Sequence, residues 1–153
     1  MRMTQHSDYA LRLLVFLALR TDRTCTVSEI AEAYGLSRHH LLKVALQLKN
    51  LGLVDSLRGR SGGINLAVDP ADINIGALMK SLETDFALVE CMKPTGGNCV
   101  ISPECRLKGM FHEALEAYLD VLRAYSLADA LGNGPALAAL LEIPGTENLG
   151  SLN

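Results

Sequence analysis

Three cysteines fall within one fifteen-residue stretch, Cys91-Met92-Lys93-Pro94-Thr95-Gly96-Gly97-Asn98-Cys99-Val100-Ile101-Ser102-Pro103-Glu104-Cys105. Thiolates are soft ligands, and three of them on a segment stiffened by two prolines can converge on one centre. Seven residues separate the first pair and five the second. These gaps are neither the two-residue spacing of zinc knuckles nor a common ferredoxin run. A fourth ligand must come from elsewhere in the chain. An incomplete set with an exchangeable fourth position favours a reactive iron–sulfur cluster over structural zinc. A reversible disulfide between two of the thiols is a third reading, and the residues alone leave all three open.

The rest of the chain must position this segment, and its bulk properties bound how. With 153 residues, about half of them apolar and no Trp, there is enough for an aliphatic core and one compact unit. Met1 to His6 leads straight into a helix bearing Arg12 and Arg20, so no secretory leader is expected, and no apolar run reaches membrane-spanning length. A cytoplasmic protein is expected, a setting in which clustered thiols bind metal or sense redox state more often than they form structural disulfides.

The net charge of −3 hides a strong asymmetry. Between Ser37 and Gly63 the bases Arg38, Lys43, Lys49, Arg58 and Arg60 face a single acid, Asp55, leaving +4 with His39 and His40 beside them. Between Thr84 and Asp120 six acids face three bases. One lobe suits phosphate contact and the other does not.

The order of elements gives that basic lobe a form. Ser7-Asp8 reads as the N-cap of a first helix that is apolar almost all round from Tyr9 to Leu19 and therefore central. Thr26 with Glu29 three residues later is a capping box for a short second helix ending at Gly35. Ser37 caps a third helix, Arg38 to Asn50, with Gly52 as its stop. Helix, glycine turn, helix is the helix-turn-helix pattern. A strand at 53–57, the turn Arg58-Gly59-Arg60-Ser61-Gly62-Gly63 and a returning strand at 64–68 form a hairpin wing. A helix over 73–83 follows, with Ile75, Leu78, Met79 and Leu82 on one face.

After the cysteine segment, Arg106 to Tyr125 reads as a long helix with a stripe of Leu107, Phe111, Ala114, Tyr118, Val121 and Tyr125. Such a stripe, arriving after the head is complete, is expected to pack on a second subunit, the alternative being the chain's own head. Short helical segments close the chain. The expected class is mainly α with a small β wing: a winged helix-turn-helix head plus a long dimerisation helix. The expected units are a DNA-binding domain over 1–83, a cluster-binding loop over 84–105, a dimerisation region over 106–131 and a tail over 132–153.

Candidate DNA contacts follow from that layout. Arg38, His39 and His40, with Ser37 before them, occupy the first turn of the recognition helix, where base edges are read. Lys43 and Lys49 suit phosphates, and Arg58, Arg60 and Ser61 on the wing tip suit a narrow minor groove. Asp8 is a cap or first-turn acid, Cys25 a small buried hydrophobe and His112 a helix-face residue. No nucleotide-binding glycine loop, nucleophile elbow or catalytic carboxylate pair is present, which argues against an enzyme.

Several stretches carry a resemblance: Thr4 to Arg12, Val54 to Ile64, the three cysteines, Cys99 to Lys108, and Tyr125 to Leu131. On these the chain resembles, over nearly its whole length, the bacterial iron–sulfur winged-helix repressors that include NsrR, IscR and RirA, and within them the NsrR type. The resemblance implies a homodimer with crossing long helices and a cluster near the interface, bound to double-stranded promoter DNA. It implies ligation by Cys91, Cys99 and Cys105, with Asp8 of the partner subunit as fourth ligand. A 4Fe–4S cluster is implied, 2Fe–2S being the alternative. The IscR type places a His three residues after the last cysteine, where this chain has Lys108. The implied signal is nitric oxide. The long Cys91–Cys99 gap, similar to that of the RirA type, makes iron the alternative signal.

Overall fold

The head is built on one apolar helix. In the computed structural model, which describes residues 3–57, 59 and 62–143, α1 spans Gln5–Leu19 and buries Ala10, Leu13, Leu14 and Leu17 almost completely. Its cap is Thr4, not the expected Ser7-Asp8: Thr4 Oγ1 accepts from the Ser7 amide at 3.3 Å, and the helix begins three residues earlier. Ser7 is fully buried, its hydroxyl 3.1 Å from that of Thr4. Both sites offer a capping residue, and the bonds of Thr4 to Glu83 favour the earlier one.

α2 (Val27–Tyr34) and α3 (Arg38–Asn50) form the helix-turn-helix. The capping box is present: Glu29 N donates to Thr26 Oγ1 and Thr26 N donates to Glu29 Oε2. Gly35 ends α2 at φ +61°, a left-handed conformation that a side chain disfavours. Ser37 sits at the N-cap of α3, but its side chain makes no capping bond. Glu29 also accepts from Arg23 Nη2 at 2.5 Å, and that bond first, with help from Thr26, holds its carboxyl down at about 2 from the ordinary 4.5. A depressed folded-state pKa contributes stability that is complete above about 4.5 and is lost as pH falls toward 2. Because the pair is part-exposed, solvent screens it and the effect is small. Urea unfolding at a series of pH values is expected to show a shallower acid limb in Glu29→Gln than in the parent.

The wing comprises β1 (Val54–Leu57) and β2 (Gly63–Leu66), antiparallel, with Val54 opposite Leu66 and Leu57 opposite Gly63. An isolated bridge adds a segment from before α2 to the other side of β2. Cys25 N donates to Ile64 O at 2.8 Å, and Ile64 N donates back to Cys25 O at 2.7 Å. The wing is thereby anchored to the core, and Cys25 is fully buried as expected. Arg58, Arg60 and Ser61, the proposed wing contacts, lie outside the described residues.

α4 (Ile75–Leu82) begins two residues later than its hydrophobic pattern suggested, because Asn74 caps it: Asn74 Oδ1 accepts from the Ala77 amide. Ile75, Leu78, Met79 and Leu82 are buried on one face, as expected. The long α5 (Leu107–Arg123) then returns against α4, and α6 (Leu127–Leu131) and α7 (Gly134–Leu140) fold back on the head. The junction is stitched by Ile75 N to Tyr125 O and Leu127 N to Ile73 O. Gly76 makes the approach possible, since a Cβ there would lie 2.7 Å from the Arg123 amide nitrogen. Gly76→Ala is expected to cost about 1–3 kcal/mol in urea unfolding at fixed protein concentration, and an undiminished midpoint would contradict this packing.

α5 buries Leu115 and Leu119, and its Leu122 packs against the core of the head. The expected stripe points elsewhere: Leu107, Val121 and Tyr125 are each more than half exposed. Those three side chains are therefore not spent on the chain's own head. No described helix is long and apolar enough to cross a membrane.

Candidate DNA interface and cysteine segment

α3 is amphipathic in the sense a groove-reading helix requires. Leu41, Val44, Ala45 and Leu48 are buried against the core, which turns Arg38, His39, His40, Lys43 and Lys49 outward. Two of these are preorganised by neighbours. Arg38 Nε donates to Ser28 Oγ at 2.8 Å, fixing the guanidinium across the turn to α2. Lys49 Nζ donates to Ser56 Oγ at 2.5 Å, joining α3 to the first wing strand. The His40 ring lies 6.3 Å from that of Tyr9 and from that of His39. The same surface exposes Leu42 and Leu46, the latter 61%. Sequence reasoning passed over both, because leucine in a helix reads as core. Their position among outward-facing bases is the signal that was available, since apolar side chains in the major groove meet thymine methyl groups.

The cysteine segment lacks regular structure except for a single 3-10 turn over Glu90–Met92. Its shape comes from successive tight turns: Gly96 N donates to Lys93 O, Ser102 N to Cys99 O and Glu104 N to Ile101 O. Gly96 and Gly97 both have positive φ. Cys91 and Cys105 are half-buried, Cys99 is exposed, and all three carry free thiols. Val100 beside Cys99 is 93% exposed. Cys25 differs in kind, since burial first of all pushes its thiol up from the ordinary value and favours the unreactive protonated form.

Among the described residues, no three His, Cys, Asp or Glu side chains are gathered as a metal-binding group. The structure thus places Cys91, Cys99 and Cys105 on one irregular segment without closing them on a common point. Asp8 sits apart from them on the first full turn of α1. Its carboxylate is gripped by Arg12, with Nε donating to Oδ1 at 3.1 Å and Nη2 lying 2.9 Å from Oδ2. The Arg12 guanidinium also lies 5.9 Å from the centre of the Tyr34 ring. This first turn is tied to the end of α4, because Thr4 N and Oγ1 both donate to Glu83 Oε1, at 2.8 and 3.0 Å. His112 lies on the exposed face of α5, as expected.

The donor set fits an iron–sulfur cluster in its chemistry. Three uncommitted, accessible thiols lie on a segment with no core packing to disrupt, and soft sulfur donors suit such a centre.

Comparison with known proteins places these features. Residues 3–133 match Rrf2, the family of iron-dependent transcriptional regulators. The chain is 47% identical over 144 residues to the HTH-type transcriptional regulator NsrR of Halalkalibacterium halodurans, covering 94% of this chain and 99% of that protein. It is 46% identical over 144 residues to the protein of the same name from Bacillus subtilis, with the same coverage of both. Among solved structures, T. potens IscR matches with a TM-score of 0.68 and 25% identity, covering 87% of this chain and 88% of that one.

Proposed function

The chain belongs to the Rrf2 family of iron-dependent transcriptional regulators, and from that premise we propose that it is a homodimeric repressor whose grip on double-stranded promoter DNA depends on an iron–sulfur cluster and is released by nitric oxide. It is a regulator and not an enzyme, as its named relatives are. The observation that carries the proposal is the position of Asp8. Its helix, α1, packs directly against α3, so one element joins the candidate ligand to the candidate recognition helix.

Cys91, Cys99 and Cys105 would hold the cluster, with Asp8 of the partner subunit as fourth ligand. The absence of His at Lys108 favours 4Fe–4S over 2Fe–2S. The bound cluster would supply iron that nitric oxide attacks, at the expense of protein ligands. A carboxylate is the weakest donor of the set and the first expected to leave. Arg12 offers Asp8 an alternative partner at 2.9 Å, so a released carboxylate need not be left unpaired. Changing partner at Asp8 acts on the first turn of α1, and through α1 on the placement of Arg38, His39 and His40 in both half-sites. Ser37 and Lys43, with Lys49, would complete the contact from α3, and Arg58, Arg60 and Ser61 from the wing. The exposed stripe on α5 would be the dimer seam.

Iron as the signal is the second reading. It is favoured by the family's iron dependence and by the seven-residue Cys91–Cys99 gap.

The test compares cluster-loaded and cluster-free protein on promoter DNA at one salt concentration, since salt alone shifts such affinities strongly. The loaded form is expected to bind about 5–150-fold more tightly; equal affinities would defeat the coupling. Asp8→Ala is expected to change the cluster's absorption spectrum and its rate of reaction with nitric oxide. An unaltered spectrum and rate would leave Asp8 as a surface ion pair.

A further inference from the structure

Two contacts between α1 and α3 bracket Asp8. On one side, His6 Nε2 lies 2.5 Å from Gln47 Oε1, the ring N–H donating to the amide oxygen. On the other, the Tyr9 ring faces that of His40, and Gln5 Nε2 donates to the Tyr9 hydroxyl at 2.9 Å. His40 and Gln47 are seven residues apart, two helical turns, and so lie on the same flank of α3. Between them a cleft of about 220 Å³ is lined by Gln5, His6, Tyr9, His40, Lys43 and Val44. Gln47 reaches a third element as well, since its Nε2 donates to the Ser81 carbonyl of α4 at 3.4 Å.

These contacts differ in what they transmit. The Thr4–Glu83 bonds reach the end of α4 and not α3. The apolar packing of α1 on α3 is non-directional. A hydrogen bond between half-buried side chains is directional and weakens steeply with misalignment. His6 precedes Asp8 by two residues, within the same helical turn, so movement of Asp8 must move the His6 ring. Gln47 follows Lys43 by four residues, one turn further along the helix that would enter the groove.

We infer that Gln47, through its bond to His6, is the positioning residue that conveys the state of the Asp8 turn to the recognition helix. This inference rests on the proposed function and names the joint through which that function would act.

Two variants and two measurements test it. Gln47→Met keeps the length of the side chain and removes the bond. Gln47→Glu keeps an acceptor for the His6 ring. The first measurement needs no cluster: amide hydrogen exchange at Asp8 and Tyr9 in the cluster-free protein, with and without promoter DNA at low salt. DNA is expected to slow exchange there by about tenfold in the parent, much less in Gln47→Met, and nearly as in the parent for Gln47→Glu. Exchange in the parent that ignores DNA would overturn the inference whatever the cluster does.

The second measurement is the ratio of DNA affinities of the loaded and cluster-free forms. Gln47→Met is expected to retain the cluster spectrum while its ratio collapses to within about threefold of unity, against the about 5–150-fold expected of the parent. Gln47→Glu should recover the parent's ratio even though its added charge weakens both forms. A Gln47→Met protein whose two affinities fall equally would mark Gln47 as merely structural and overturn the inference. If the parent shows no ratio while exchange responds as expected, the joint stands and the proposed function is what fails.

Discussion

Substituting Ala for any one of Cys91, Cys99 and Cys105 is expected to strip anaerobically purified protein of its visible absorbance and to lower its DNA affinity to that of the cluster-free chain. A cluster held by three thiolates and one weak oxygen donor has no ligand to spare. The folded head should survive, because none of the three belongs to the hydrophobic core and their segment is made of turns rather than packed elements. Matched unfolding curves alongside lost absorbance would separate the two effects. Cys25→Ala should do the reverse, since Cys25 is fully buried beneath the wing and its backbone bridges Ile64. It should lower stability and leave the spectrum alone. A colourless parent that unfolds on chelation would point instead to structural zinc.

Arg38→Ala is expected to weaken promoter binding by about 1–3 kcal/mol, roughly five- to 150-fold, and to relax the preference at one or two base pairs only. The Ser28 bond uses Arg38 Nε, not the terminal nitrogens that would face a guanine, so the side chain is held in place without being used up. Lys43→Ala should behave differently. A phosphate contact carries no sequence information, so affinity should fall on all DNA alike and the salt slope should flatten by about 1. Fluorescence anisotropy on a set of single-base promoter variants across salt concentrations distinguishes the two patterns. A uniform loss for Arg38→Ala would remove it from base readout.

What could be read from the sequence was governed by range. The capping box of Thr26 and Glu29, the bounds of α3 and the buried face of α4 depend on residues within a turn or two of each other, and all were legible. The cap of α1 was missed because its competitor, Ser7-Asp8, is equally good locally. The deciding bonds join Thr4 to Glu83, 79 residues away. The Cys25–Ile64 rung and the Tyr125–Ile75 stitch were invisible for the same reason, as single backbone pairs leave no periodic trace. His6 and Gln47 went unremarked as ordinary polar residues; only folding brings them together, across 41 positions. The α5 stripe was legible as a pattern, whereas the buried Leu115 and Leu119, and Leu122, which packs on the core, lie outside that stripe. For the proposed cluster the cysteines could be found by spacing, but a fourth ligand supplied by a partner subunit would leave no single-chain geometry to read.

The most direct test is an anaerobic titration of the loaded protein with nitric oxide, following cluster absorbance and promoter binding in the same samples. The account predicts that both fall together within a few equivalents per cluster. Promoter binding that persists after the absorbance has changed, and is lost only when iron is chelated, would contradict nitric oxide as the signal and identify iron in its place.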